Sequence, residues 1–232
     1  MPRRENCPKW DLTPEEAVRW QESLRQHLVL EDDLPPSVRL VGGVDSGYTD
    51  TQAIAVITVF VYPELELIHH AIGQVPVHFP YIPGLLAIRE GPAIEAAWGN
   101  IPPERRPDLL FFDGQGIAHP RGMGIASHMG VLLDRPSIGV AKRILVGHHE
   151  PVPDEQGAWR PLVYRGKVVG AAVRTKVGVK PVYVSPGHRI SLPTAIEYTL
   201  ATVRGYKLPE PTRLADKLAR QWRRKLASGI KR

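Results

Sequence analysis

The chain of 232 residues has one cysteine, Cys7, which excludes an intrachain disulfide. Packing alone must hold the fold, and 43% hydrophobic residues in a chain of this length supply enough core. No apolar run reaches the roughly 20 residues that a membrane span needs, so no membrane partner is expected. The N-terminus lacks the hydrophobic centre of a secretory signal, and the expected compartment is cytoplasmic. Internal repeats, low-complexity tracts and linkers are missing too, so residues 1–232 read as one domain. Acid is absent from one end: residues 217–232 hold seven Lys or Arg and no Asp or Glu. With 30 basic and 24 acidic residues the net charge is +6, which favours a polyanionic partner. The basic C-terminal helix and tail, 217–232, has two readings: a solvated helix, or an edge that touches phosphates.

What is present reads as an α/β chain. Thr13-Pro-Glu-Glu16 is a capping box with proline in the first turn, opening a helix over about 13–28. Three strands follow, 40–48, 52–62 and 65–75, with connections too short for anything but antiparallel pairing. Residues 85–98 have helical spacing, which Gly91-Pro92 is expected to interrupt or kink. Residues 109–113 are a short buried strand, 123–133 a helix and 136–141 a second buried strand. This β-α-β unit calls for parallel pairing and a right-handed crossover. Residues 144–162 read as irregular, 162–173 as a hairpin turning at Arg165-Gly166-Lys167, and 181–184 as a short strand. Helices close the chain at 191–203 and 211–227. The expected fold is a mixed sheet, a three-stranded antiparallel meander plus parallel strands, flanked by helices.

Four acids fall where such a sheet could use them. Asp113 ends the strand Leu109-Leu-Phe-Phe-Asp113, and Gly114 and Gly116 follow it directly. Open α/β sheets bind ligands at the C-terminal edges of their strands. Asp45 lies near the end of the first strand, which a meander followed by a crossover places beside the fourth. Glu90 lies on the next helix and Asp216 in the first turns of the last one. Crowded carboxylates cannot all stay ionised without a cation, and hard oxygen ligands suit Mg²⁺, with Mn²⁺ as substitute. Such a site promotes in-line phosphoryl displacement. Lys142, at the end of Gly139-Val-Ala-Lys142, could meet the scissile phosphate or stand in solvent.

The loop His78-Phe-Pro-Tyr-Ile-Pro-Gly84 sets Tyr81 and Ile82 between Pro80 and Pro83. Prolines stiffen it. Its apolar tip is either a wedge that enters a base stack or a lid folded back on the core.

Several stretches together resemble the endonuclease V family of deoxyinosine-directed repair nucleases. They are Pro80-Tyr-Ile-Pro-Gly-Leu-Leu-Ala-Ile-Arg-Glu-Gly-Pro92, Phe112-Asp-Gly-Gln-Gly-Ile-Ala-His-Pro120 and Gly124-Ile-Ala-Ser-His128. Ile138-Gly-Val-Ala-Lys142, Val182-Tyr-Val-Ser-Pro-Gly-His188 and Leu208-Pro-Glu-Pro-Thr-Arg213 complete the set. The resemblance runs from about Val41 to Asp216. It implies an RNase H-like fold and a Mg²⁺-dependent DNA endonuclease. Such an enzyme nicks single- or double-stranded inosine-containing DNA at the second phosphodiester bond 3′ to the lesion, leaving 3′-hydroxyl and 5′-phosphate ends. It implies metal ligands in Asp45 and Asp113, a further acid in Glu90, Lys142 near the phosphate, and Tyr81 as wedge. Gly84, Gly114, Gly124 and Ile125 would line the pocket for a flipped hypoxanthine. Two departures stand out. The first aspartate is followed by Ser46-Gly47-Tyr48 rather than the common valine and serine, and some members carry His where Asp216 stands. His119, His128 and His188 lie in matched motifs and read as structural.

Three alternatives remain at this point. Val44-Asp-Ser-Gly-Tyr-Thr49 could be a phosphate loop of an actin-like ATPase. A non-catalytic nucleic-acid-binding protein could keep the fold. Within the family, inosine-containing RNA is a second substrate class. A monomer is the expected state.

Overall fold

The computed structural model describes residues 10–227, so Cys7 and the last two basic residues, Lys231 and Arg232, lie outside them. Helix α1, Pro14–Arg25, opens on the expected capping box: Glu16 N–H donates to Thr13 Oγ, and Thr13 N–H to the Glu16 carboxylate at 2.8 Å. It stops three residues earlier than expected. The backbone beyond is taken by the far side of the molecule, since Val29 N–H donates to His188 Nδ1 and Val29 C=O accepts from Arg189 N–H. Asp32 then receives Ser191 N–H and the Thr194 hydroxyl at the start of a later helix.

Strands β1 (Leu40–Tyr48), β2 (Gln52–Val61) and β3 (Glu66–Pro76) form the antiparallel meander. Helix α2, Leu86–Gly99, follows. It runs through Pro92 without the expected interruption, although the proline leaves one helical carbonyl without its N–H partner. Gly91 beside it lets Trp10 pack directly on the helix. Strand β4 (Leu109–Phe112), helix α3 (Ile125–Leu133) and strand β5 (Ser137–Ala141) are the β-α-β unit, and β4 pairs in parallel with both β1 and β5.

Strands β6 (Trp159–Tyr164) and β7 (Lys167–Val173) are the expected hairpin. Arg165 and Gly166 at its tip both have positive φ, 50° and 73°. Strand β8 (Val182–His188) is longer than expected, because it continues past the pair Ile138↔Pro186 through a bulge at Gly187 to the pair Ser137↔His188. Helices α4 (Leu192–Ala201, capped by Ser191) and α5 (Glu210–Ala227) complete the chain. The sheet has eight strands in the order β3-β2-β1-β4-β5-β8-β7-β6. No helix among the described residues is long and apolar enough to cross a membrane.

The alternation of side chains along β1 assigns each face its neighbours. Val44 joins the core beneath α2 and α3, with Ile57, Phe112, Ile94 and Ala126. Val41 joins the core on the opposite face, with Phe111, Ile138 and Ala195 of α4. Helix α5 lies on this second face so closely that a Cβ on Gly43 would collide with the Pro211 carbonyl. The Thr58 hydroxyl, which meets both the Gly43 and Pro211 carbonyls, ties that contact.

Candidate active site

The register Val44↔Phe112 makes Asp45 and Asp113 the next pair along two parallel neighbours. Asp113 has just left β4, with its N–H held by the Val44 carbonyl at 2.9 Å. Asp45 shares the parity of Gly43 and Gly47, so it faces α5, which brings Asp216. One carboxylate oxygen from each of Asp45, Asp113 and Asp216 lies within 4.8 Å of the others. Lys142, following β5, pairs with Asp113 and lies 3.4 Å from Asp216, which also pairs with Arg220 one turn along α5. Asp45 has no ion-pair partner among the described residues, and its Oδ2 is buried without a hydrogen bond.

Burial first, then repulsion from Asp113 and Asp216, pushes the Asp45 carboxyl up to about 7. Burial opposes the charge on Lys142, but its pairing with Asp113, and then Asp216, holds its pKa above the ordinary lysine value. Three carboxylates, one orphaned buried oxygen and hard donor atoms fit a divalent cation of the Mg²⁺ type.

Glu90 is not part of this triad. Ser46 points away from Asp45, toward α2, and its hydroxyl donates to the Glu90 carboxylate at 2.5 Å. Burial pushes Glu90 up to about 6, and the Ser46 bond and Arg223 partly counter it. The guanidinium of Arg223 lies over Gly47, where a side chain would collide with it. The basic C-terminal helix is therefore not wholly solvated through residue 227: Arg220 pairs with Asp216, and Arg223 lies against Gly47, where its charge favours the ionised forms of Asp45 and Glu90. Residues 228–232 lie outside the described part.

The loop before α2 divides between the two expectations for it. Phe79 is buried with Leu85, Ile88 and Ala17, and Ile82 packs against this cluster. Tyr81 is 59% exposed, and Pro80 and Pro83 are exposed beside it. Arg89 donates to the Phe79 carbonyl at 2.5 Å and fixes the loop's base.

Beneath Tyr81 lies a cavity of about 250 Å³. Gly84, Gly114, Gly124 and Ile125 all line it, with Ile82, Leu86, Gln115 and Met123. Gly84 has φ +82°, a backbone that favours glycine, and its carbonyl accepts from Arg121 at 2.6 Å, His119 at 3.0 Å and Gln21 at 3.1 Å. A Cβ on Gly114 would stand 2.6 Å from the Ile125 side chain. One on Gly124 would collide with the Gln115 carbonyl.

The three histidines are buried. Desolvation lowers His119 to about 4, His128 to about 3 and His188 to about 4, so all are neutral at pH 7. His128 packs between Trp10 and Trp20.

Sequence reasoning missed Gln21, which donates to both the Gly84 and Met123 carbonyls and so joins the loop before α2 to the start of α3. Its signal was a glutamine one turn after Ala17 on the buried face of α1. It also missed Arg220 and Arg223, four and seven residues past Asp216 on one helical face, and the exposed Ile144 and Leu145 on the cavity rim.

An RNase H-like sheet with carboxylates gathered at the ends of adjacent parallel strands defines a nuclease. Residues 22–217 match the family model described as endonuclease V. An endonuclease V from a Nostoc species is 51% identical over 212 residues, covering 90% of this chain and 95% of its own. The crystal structure of endonuclease V from Streptomyces avermitilis superposes with a TM-score of 0.88 at 41% identity, covering 94% of this chain and 96% of that one. Endonuclease V of Ciona intestinalis, solved with a 23mer DNA containing an inosine followed by a ribo-adenosine, has a TM-score of 0.81 at 28% identity, over 93% of this chain and 100% of that one. The chain belongs to the endonuclease V family and is a DNA-repair endonuclease.

Proposed function

We propose that this protein is a Mg²⁺-dependent endonuclease that recognises deoxyinosine in DNA and hydrolyses the second phosphodiester bond 3′ to it, leaving 3′-hydroxyl and 5′-phosphate ends. The observation that carries this reading is the convergence of Asp45, Asp113 and Asp216 next to a pocket large enough for one base. The DNA held by the Ciona relative supports the substrate class.

Asp45 and Asp113 hold the ion, and Asp216 closes the group. The chemistry a bound ion supplies is Lewis-acid stabilisation of charge on the phosphodiester under attack. Lys142, half in solvent and already beside Asp113, takes a phosphate oxygen. Glu90 acts through Ser46, fixing the end of β1 and with it Asp45. Tyr81 fills the space of the extruded base, at about a few kcal/mol per unstacked step. Gly84, Gly114, Gly124 and Ile125 admit the base where only main chain and one branched side chain stand. Pro80, Ile82 and Pro83 shape the loop that meets DNA.

The test is cleavage mapping on matched inosine and adenine strands, as DNA and as RNA, with Mg²⁺, Mn²⁺ or EDTA. One Mg²⁺-dependent nick displaced 3′ from inosine, with a 5′-phosphate on the released fragment, is expected on DNA. Equal cutting of adenine strands, or cutting in EDTA, would refute the reading. Cutting of inosine in RNA alone would move the substrate to RNA.

A further inference from the structure

Two exposed aromatic rings stand at this edge of the sheet, and only Tyr81 has a role so far. The other is Tyr48, the last residue of β1, three residues past Asp45 and 36% exposed. It has the parity of Ser46, so it faces the α2 side, where the cavity opens. The Arg89 guanidinium lies 4.0 Å from its ring centre. That guanidinium is fixed in turn by its bond to the Phe79 carbonyl. The Tyr81 ring is 6.4 Å from it, with the planes 37° apart, at the long end of the range for an aromatic pair. Tyr48 is therefore a braced ring with one side backed by a cation and part of its surface open. It stands at the end of the strand that carries Asp45 and beside the wedge.

A tyrosine at a strand end has a bland explanation in cross-strand packing, but its partner across β2 is Ala53, which offers little ring contact. Its ring instead meets Arg89 and Tyr81, on the α2 side. Tyr48 shares a strand with Asp45 and neighbours Tyr81, which borders the cavity, so a stretch of chain running from the cavity to the acids can pass this corner, and the nucleotide between them carries a base that needs a neighbour. Arginine-backed aromatic rings are good stacking surfaces for bases of any sequence.

We propose that Tyr48 is a second nucleobase platform, which stacks the base of the nucleotide lying between the base in the pocket and the bond that is cut. The proposal rests on the reading of the cavity and acids given above. It makes Tyr48 a binding residue that is indifferent to which base stands there.

A double-mutant cycle tests it, with binding measured in EDTA and nicking in Mg²⁺. The substrates are inosine-containing strands with either an ordinary base or an abasic analogue immediately 3′ to the inosine. Loss of that base should weaken binding by wild type about tenfold, the scale of one base–aromatic stack. Y48A should lose about as much on the full substrate and nothing further on the abasic one, while Y48F should behave as wild type. Independent losses from Y48A and the abasic analogue, or no loss from either, would overturn the platform while inosine-dependent nicking by wild type persists. Absence of that nicking in wild type would instead overturn the reading beneath it. Y48L, apolar but without a ring, controls for packing: affinity closer to Y48A supports stacking, and wild-type affinity refutes it.

Discussion

Replacing Asp45 by Asn should stabilise the protein in the absence of metal. The buried carboxyl is pushed from an ordinary 3.8 to about 7, by desolvation and by Asp113 and Asp216. Its folded pKa is raised, so its contribution is fully present below pH 3.8 and is lost as pH climbs through about 7. At about 1.4 kcal/mol per pH unit, the ionised group costs the folded state up to about 4 kcal/mol at pH 8. Lys142, with 42% of its side chain exposed, can swing toward Asp45 and recover part of this. A net gain of about 2–4 kcal/mol for D45N is expected at pH 8. The amide has the same shape and can donate to a neighbouring carboxylate. The assay is urea denaturation in EDTA of wild type and D45N at pH 5 and pH 8. The gain should be larger at pH 8 than at pH 5, where linkage leaves less than half of the cost, about 1.6 kcal/mol. Adding Mg²⁺ at pH 8 should stabilise wild type and leave D45N nearly unmoved. A D45N protein no more stable than wild type at pH 8 without metal would refute the claim that this acid is held against its own charge.

Asp113→Ala should abolish nicking while inosine-DNA binding in EDTA remains, as read by gel shift; retained activity would remove Asp113 from the chemistry. Tyr81→Ala should lower the preference for inosine over undamaged DNA more than it lowers non-specific affinity, and an unchanged preference would count against the wedge. Gly43→Ala should displace the start of α5, because its Cβ meets the Pro211 carbonyl, and so weaken Mg²⁺-induced stabilisation by moving Asp216; unaltered metal stabilisation would show that α5 can shift freely. Arg220→Ala with Arg223→Ala should flatten the salt dependence of DNA binding if these side chains leave Asp216 and the end of β1 for phosphates, and an unaltered slope would confine them to their present places.

The fold was legible because its strands are short, apolar and separated by clear turn residues. The pairing of Asp45 with Asp113 follows once β4 joins the meander at its β1 edge, as the order β3-β2-β1-β4 has it, rather than at the β3 edge. The third acid was less legible. Glu90 looked closer in sequence, but Asp45 and Ser46 point to opposite faces, so Glu90 meets the serine and Asp216 meets the aspartate. Nothing in composition reveals which helix covers which face; Gly43 and Gly47, which admit α5 and Arg223, are the residues that decide it. Gln21 was hidden for a similar reason. Its two carbonyl partners, Gly84 and Met123, are 63 and 102 residues away.

The same alternation bears on where the cut falls. Asp113 and Gly114 are consecutive residues, yet the first belongs to the acid group and the second lines the cavity. The boundary between cavity and acids therefore runs between them, with the cavity toward α2 and α3 and the acids toward α5. On the proposed reading, a base in the cavity would keep its own sugar on the α2 side, and the strand would cross the edge of the sheet before its backbone reached Asp45. Successive phosphates along a strand are spaced by one nucleotide, so the link presented to the acids is displaced from the recognised base. Moving the cut toward the lesion would require moving the pocket across the sheet. For that reason, pocket variants such as Gly124→Ala should change how well inosine is chosen and leave the position of any residual nick unchanged. A nick that migrates in such variants, mapped at single-nucleotide resolution, would mean that the two faces are not independent.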